Sequence, residues 1–355
     1  MIRDGLKGEK MSKYRVAIVG CGDRSAPHIQ AYRWINNAEV VACCAPTAQR
    51  RDKLASEYNL HAYANARDMI EQEKPDLVHL VTWPETRVEL MTLISDSKVP
   101  LCTVEKPIAT GVVDWKALCE LAQRTKTKFA VCHQFRWQTH LVKCQQALKS
   151  TKLGKVKFLD ISAGMNIAGQ GTHTLNYGRS LIEDAKVAQV AGNAYGWETN
   201  DMGHPAPAAT EAYLIFENGV RALWTSGAIS PRCGDPNIAW QHVRVAAYAE
   251  QGRVNYEEFG KWEIVSPKNI ENGTFGNMDV WRQNNLEAQA NFHKAMFTWL
   301  LDNKNMPGTN LEQSLHEWKV VLALYTSALK RQPVDIESFE PDLSLFNELS
   351  KMLNA

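Results

Sequence analysis

The stretch Val16 to His28, VAIVGCGDRSAPH, ends an apolar, β-branched run in Gly20-Cys21-Gly22. Glycines at those two places suit a phosphate. Gly20 can take the conformation that reverses the chain tightly after a strand, and Gly22, lacking a Cβ, lets backbone N–H groups approach a pyrophosphate at a helix N-terminus. Ser25 stands where the dinucleotide fingerprint has its third glycine, a position that serves helix-to-strand packing, so the match weakens while the chemistry is retained. Gly20, Cys21, Gly22, Arg24 and Ser25 are therefore candidate contacts of a nicotinamide dinucleotide. The next run, in VVACCAPTAQRR, lacks the acid that accepts the adenosine ribose hydroxyls and offers Cys44, Ala45 and Pro46 instead. Thr47, Arg50 and Arg51 follow, and an arginine there can pair with a 2′-phosphate, so NAD and NADP both stay open.

A second chemical signature is CTVEKPIAT. Glu105, Lys106 and Pro107 directly follow an apolar run, at the carboxyl edge where open α/β sheets bind their ligands.

These residues need a doubly wound domain to hold them. From Arg15 to about Val131 the runs RVAIVG, EVVACC, LVHLVT, LCTVE and KFAVCH alternate with helix-like segments, which predicts βαβ units and a parallel Rossmann sheet over residues 11–135. TAQRRDKLASEYN puts Leu54, Ala55 and Tyr58 on one helical face, and ARDMIEQEK is ended by Pro75. After about Leu153, KVKFLDISAGMNIA and ATEAYLIFENGVRALWTSGAI alternate as strands, with Asn218-Gly219 placed as a type I′ hairpin turn. This predicts a second domain, residues 136–340, on a mostly antiparallel sheet. In EQSLHEWKVVLALYTSALKRQ, Leu315, Trp318, Val321, Leu322, Tyr325 and Leu329 repeat at helical spacing before Pro333 stops the helix. Residues 341–355 read as a C-terminal tail. WETNDMGHPAPAAT, Trp197 to Thr210, reads as a loop, either a surface excursion or a cover that offers Trp197 and His204 to a ligand.

Composition narrows the partners. The chain has 355 residues, with 40 basic against 39 acidic side chains, so no global charge favours nucleic acid or an anionic membrane. Its eight cysteines include no C-x-x-C pair, which argues against a zinc centre and for reduced thiols in a cytoplasmic protein. The polar opening MIRDGLKGEKMSKYR carries no export signal and no apolar run is long enough to span a membrane. A small molecule is the expected ligand, and no metal is expected.

The Gly20-Cys21-Gly22 turn, Glu105-Lys106-Pro107, HQFRW from His133 to Trp137, GTHTLNYGRSLI from Gly171 to Ile182, and YTSALKRQPV, in that order, resemble the Gfo/Idh/MocA oxidoreductases from about Tyr14 to Val334. The resemblance implies a Rossmann domain followed by an open, mostly antiparallel sheet that makes the homo-oligomer interface, and a substrate that is a sugar, cyclitol or related polyol. It places Thr82, Trp83 and Pro84 beside the nicotinamide together with Glu105. It places His133 and Arg136 at the substrate cleft, where Arg136 can hold hydroxyls or a carboxylate; Asn176 and Tyr177 beside His173, and His204 from the Trp197–Thr210 loop, are further substrate candidates. It maps the family's lysine onto Lys106 and its histidine onto His173. Oxidising a secondary alcohol needs an acceptor for the hydroxyl proton, which a neutral imidazole supplies, and a cation beside the developing alkoxide, which suits Lys106. Two departures stand out: Gly169 occupies the place of an aspartate four residues before the histidine, and Asn176 replaces the aspartate of the family's G-x-H-x-x-D motif.

The leading expectation is an NAD(P)-dependent dehydrogenase acting on a carbohydrate-like CH–OH. Two others stay open: an enzyme that uses the cofactor transiently for isomerisation, elimination or glycoside cleavage, and a non-catalytic nucleotide-sensing protein.

Overall fold

The computed structural model describes residues 13–150, 152–199, 204–274 and 277–354. The five apolar runs become β1 (Tyr14–Val19), β2 (Ala38–Cys44), β4 (Leu77–Leu80), β5 (Leu101–Val104) and β6 (Lys128–Val131). A further strand, β3 (His61–Tyr63), is too short and too exposed to leave an apolar pattern. The six form a parallel sheet in the order 3-2-1-4-5-6. β4 and β5 are buried residue by residue, as strands covered on both faces must be. The order reverses between β1 and β4, so the turn after β1 and the segments after β4 and β5 open onto one crevice.

Helices α1 (Ser25–Gln30), α2 (Ala48–Tyr58), α3 (Ala66–Glu73), α4 (Arg87–Asp96) and α5 (Val112–Arg124) supply the crossovers, and α6 (Thr139–Lys149) leads out of the sheet. One face of the sheet is closed from far along the chain by α8 (Met278–Leu301). Its Phe292, Met296, Phe297 and Trp299 pack on Val16, Leu77, Leu101 and Ala130. This long helix, polar in sequence, was not read from the periodicity.

The second sheet has nine strands in the order 14-13-12-11-7-10-9-8-15. They are β7 (Val156–Ala163), β8 (Val187–Thr199), β9 (Pro205–Phe216), β10 (Arg221–Gly227), β11 (Val243–Ala249), β12 (Gly252–Glu257), β13 (Lys261–Val265), β14 (Ile270–Thr274) and β15 (Val334–Asp335). Every pairing is antiparallel except β7 with β10. Helix α9 (Leu311–Lys330) lies across β8 and reaches back to α5 and β6. Its Trp318, Val321, Leu322 and Tyr325 are buried, and it ends where Arg331 turns left-handed, two residues before Pro333.

Three expectations are corrected. The segment Trp197 to Thr210 is mostly strand: Trp197 pairs with Pro207 and Glu198 with Ala206, because its prolines sit in the β8–β9 pair; residues 200–203 lie outside the described residues. The Asn218-Gly219 turn is not type I′. Only Gly219 has a positive φ, +83°, and the Phe216 N–H donates to the Val220 carbonyl at 2.9 Å across a three-residue loop. The 341–355 tail contains α10 (Leu345–Asn354), whose Leu345 and Leu349 are buried against β8 and α9. The eight cysteines are free, and among the described residues no helix is long and apolar enough to cross a membrane.

Candidate active site

The turn after β1 has the shape its glycines demanded. Gly20 sits at φ +106°, and a Cβ there would run into the Val81 carbonyl at the end of β4. Gly22 has nothing within 4 Å of where a Cβ would stand, so its open side is a cradle for a group from outside the chain. Ser25 is fully buried; its Oγ donates to the Gly20 carbonyl at 2.9 Å, and its N–H donates to the Gly22 carbonyl at 2.9 Å. The serine that weakened the fingerprint thus ties the turn together. Cys21 is buried beneath it. The cradle fits a dinucleotide pyrophosphate.

At the end of β2, Ala45 is buried and its carbonyl accepts from Arg51 Nη1 at 3.4 Å, while Arg51 Nε holds Asp52 at 2.8 Å. Thr47 and Arg50 are exposed beside it.

Arg24 turns inward from the same turn: its Nε donates to Glu105 Oε1 at 3.1 Å and its Nη2 to Gln289 Oε1 at 3.3 Å. His28 Nε2 meets the same carboxylate oxygen at 2.9 Å. Burial alone would raise the Glu105 carboxyl, but the Arg24 guanidinium, the His28 hydrogen bond and the Lys106 charge together hold it well below the usual carboxylate range. Glu105 therefore serves as a fixed anion that anchors Arg24 and α1 to β5.

Lys106, joined to Pro107 by a cis peptide, sends its Nζ to the Gly169 carbonyl at 2.6 Å. Burial lowers its ammonium to about 8, against the pull of Glu105 and with help from Arg24 and Arg87. Arg87, invisible as a site residue in the sequence because nothing marks an arginine at a helix start, is fully buried. It donates to the Pro107 carbonyl and, at 3.0 Å, to the Thr82 carbonyl, binding the loops after β4 and β5 to each other. Beside it Trp83 is 55% exposed and Pro84 buried, and the Trp83 ring meets buried His204 edge-on with centroids 5.8 Å apart.

Gly169 lies in a π-helical turn, Ile167–Gly171, that runs straight into α7 (Thr172–Ser180). Asn166 Oδ1 caps it from the Gly169 N–H at 2.9 Å. His173 stands in the first turn of α7, and its Nδ1 lies 2.8 Å from His133 Nδ1 and 3.2 Å from the Tyr177 hydroxyl. Burial, then His133, then Lys106 hold His173 well below the usual imidazole range; burial and Lys106 lower His133 to about 3. Both rings are neutral at neutral pH.

The remaining expected substrate contacts sit behind this pair. Asn176 is fully buried, with Nδ2 donating to Glu317 Oε1 at 2.9 Å and to the Gly308 carbonyl at 3.3 Å. Arg136 pairs with Asp184 and donates to Asn176 Oδ1 at 3.3 Å, so its guanidinium is held inside the protein. Glu317, on the buried face of α9, binds Arg179 Nη1 at 2.6 Å. The signal for Glu317 was present in the sequence: it is an acid inside an otherwise apolar helical stripe.

A buried histidine cluster that shares His28 with the Glu105 network was out of reach, since His28, His79 and His293 lie far apart in sequence. Their nitrogens are a donor set of the kind that holds metal ions. In this structure they are hydrogen-bonded within the protein, His79 to Tyr32 and Thr103 and His293 to Gln289.

The family model described as "Oxidoreductase family, NAD-binding Rossmann fold", GFO_IDH_MocA, matches residues 14–133. The chain is 23% identical to the D-apiose dehydrogenase of Paraburkholderia graminis over 94% of its own length and 92% of that protein's. Among solved structures it resembles an oxidoreductase from Agrobacterium radiobacter in complex with NAD+, L-tartaric acid and magnesium, with TM-score 0.78, 18% identity, and coverage of 92% of this chain and 99% of that one. It also resembles the WlbA dehydrogenase from Bordetella pertussis in complex with NADH and UDP-GlcNAcA, with TM-score 0.71, 17% identity, and coverage of 93% and 100%. With a β1 turn built for a dinucleotide, residues 14–133 match the model of the Gfo/Idh/MocA oxidoreductases' NAD-binding Rossmann domain, and the whole chain is similar to proteins of that kind.

Proposed function

We propose that the chain is an NAD(P)-dependent dehydrogenase acting on a CH–OH carbon of a sugar, cyclitol or glycoside, with His173 as base and Lys106 as the cation beside the reacting oxygen. The observation that carries this reading is the Lys106 Nζ bond to the Gly169 carbonyl, which brings the cation of β5 to the turn that presents His173. Gly20, Gly22 and Ser25 would hold the pyrophosphate, and Thr82, Trp83, Glu105 and Lys106 line the same crevice. The bound nicotinamide would supply the two-electron acceptor for the carbon's hydrogen. The chain's own part is proton and charge management: neutral His173 takes the hydroxyl proton, and the Lys106 ammonium stabilises the alkoxide as it forms. The similarity to a D-apiose dehydrogenase supports a sugar as substrate.

The same reading gives the outer face of the second sheet to a second copy of the chain. Tyr213 lies beside Leu223, and Tyr248 beside Phe158; Tyr213, Leu223 and Tyr248 are all exposed.

The test is to incubate the purified protein with NAD or NADP against a panel of sugars, cyclitols and glycosides and follow reduced nicotinamide. Turnover with net cofactor reduction is expected, with His173→Ala lowering kcat far more than coenzyme affinity. Product formed without net reduction would replace the reading by transient redox, and coenzyme binding without turnover by a sensor. Light scattering tests the assembly: a monomer at micromolar concentration would remove the oligomer assignment.

A further inference from the structure

We propose that Glu317 is a positioning carboxylate for His173, acting through His133 and one buried water that joins the two. This rests on the reading of His173 as the base.

Its basis is a chain of polar atoms leading away from the base. His173 Nδ1 and His133 Nδ1 are 2.8 Å apart, so one hydrogen is shared between two ring nitrogens. The far nitrogen of His133, Nε2, lies 3.8 Å from Glu317 Oε2, beyond hydrogen-bond length yet close enough for one water to touch both. A cavity of about 10 Å³ lies beside them, with Pro107, Ile108 and Val131 as apolar walls and His133, Thr172 and Glu317 also lining it. That is about the space one water needs. Three residues of its lining carry a buried polar atom with no hydrogen-bond partner among the described residues: Thr172 Oγ1, Glu317 Oε2 and Trp318 Nε1. Three such orphans in one place are costly unless a shared molecule satisfies them, and a water offers two donors and two acceptors.

The carboxylate dictates the tautomers. Burial raises the Glu317 carboxyl, but the Arg179 guanidinium at 2.6 Å and the Asn176 donor favour the carboxylate; as an acceptor through the water it places the His133 hydrogen on Nε2 and leaves Nδ1 as an acceptor. His173 must then carry its hydrogen on Nδ1, which leaves its Nε2 lone pair for the substrate hydroxyl. When Nε2 takes that proton, the His173 imidazolium keeps its Nδ1 hydrogen bonded to His133, and the Glu317 carboxylate faces the new charge through His133 and the water. The hydroxyl proton thus ends on His173 Nε2, and the carbon's hydride would go to the bound nicotinamide of the proposed function.

The arrangement also explains a departure from the family motif. Asn176 donates to Glu317 Oε1 at 2.9 Å, so an aspartate at 176 would face a second carboxylate in a buried site. The negative charge that the motif carries at 176 has moved to α9, and the residue at 176 became a donor to suit it.

The test is nitrogen-15 NMR of histidine-labelled full-length protein, which reads the tautomers without any substrate. The Nδ1–H form of His173 and the Nε2–H form of His133 are expected in the parent chain, with both populations shifted in Glu317→Gln. Kinetics with the best sugar of the panel should show kcat down about 10- to 100-fold in Glu317→Gln, the scale for outer-shell partners of a histidine, with KM within twofold. The double variant Asn176→Asp, Glu317→Gln, which returns the carboxylate to 176, should recover part of kcat. Because Glu317→Gln leaves Arg179 without its anion, Thr172→Val and Trp318→Phe are measured in parallel. They remove lining donors only, and should shift the same signals if Glu317→Gln fails to fold. Unchanged tautomers in all folded variants, or the Nε2–H form of His173 in the parent chain, would overturn the relay. Shifted tautomers in a protein that oxidises no sugar would leave the relay standing and remove the dehydrogenase reading instead.

Discussion

Lys106 Nζ donates to the main-chain carbonyl of Gly169 at 2.6 Å, while the carboxylate next to it in sequence, Glu105, is bonded to Arg24 and His28. The bond ties the ammonium to the turn that leads into α7 and His173, which makes its role open to test. Lys106→Met is expected to lower kcat by about 10²–10³, the usual loss for one electrostatic stabiliser, with NAD affinity by fluorescence titration little changed. Equal losses in both would make Lys106 a coenzyme ligand rather than a stabiliser.

The same ammonium, lowered to about 8 by burial, loses its proton within the working range of pH. A role that needs the cation is fully present below that value and fades above it. The profile of kcat/KM is therefore expected to fall above about pH 8, and Lys106→Arg, which stays charged, should remove that limb while lowering the plateau. A limb unmoved by the arginine would belong to another group.

Gly20 and Gly22 have opposite constraints, which separates fold from ligand. Gly20→Ala would force a Cβ into the Val81 carbonyl at a positive φ, and is expected to destabilise the chain by roughly 2 kcal/mol or more, read as a lower urea midpoint. Gly22→Val meets nothing within 4 Å in the chain itself, so the midpoint should hold while NAD affinity falls at least tenfold. Unaltered NAD binding in Gly22→Val would place the pyrophosphate elsewhere.

Much of this was legible before the structure. The five apolar runs are buried strands because hydrophobic continuity is a local signal, and Lys106 was found because it sits where such a strand ends. The partners of Lys106 and His173 were hidden because they are set by tertiary contact. Gly169 contributes a carbonyl, which has no letter in a sequence, and Glu317 reaches His133 from a helix at the other end of the chain. The hairpin failed for a subtler reason: Asn218-Gly219 suits two turn types, and the count of residues between Phe216 and Val220 decided between them.

Glu258 gives a stability prediction with a definite sign. Burial raises its carboxyl to about 8, with Trp281 Nε1 donating at 3.3 Å as a partial offset. Between 4.5 and 8 the folded chain therefore binds a proton that the unfolded chain has released, and stability falls as pH rises through that window. His133 and His316 act on the other side. Burial lowers each to about 3, so from pH 6.5 down to 3 the unfolded chain binds more protons and stability falls with pH. Urea midpoints should decline in both directions, and Glu258→Gln should remove most of the decline between pH 7 and 8. A Gln variant with an unchanged slope would mean that Glu258 is ionised in the folded state.

Coenzyme choice turns on the end of β2, where the ribose-binding acid is replaced by Ala45 and exposed Arg50 stands alongside. Arg51 is committed to the Ala45 carbonyl and to Asp52, so a 2′-phosphate would draw on Arg50 and Thr47. A carboxylate at 45 would repel that phosphate and accept from the ribose hydroxyls. Ala45→Asp is accordingly expected to lower kcat/KM for NADP at least tenfold relative to NAD, a swing of about 1.4 kcal/mol in discrimination. The measurement is the ratio of the two coenzymes with one sugar held saturating. If both fall together, residue 45 lies away from the adenosine ribose; if the ratio swings as expected, the missing acid is what leaves NADP admissible.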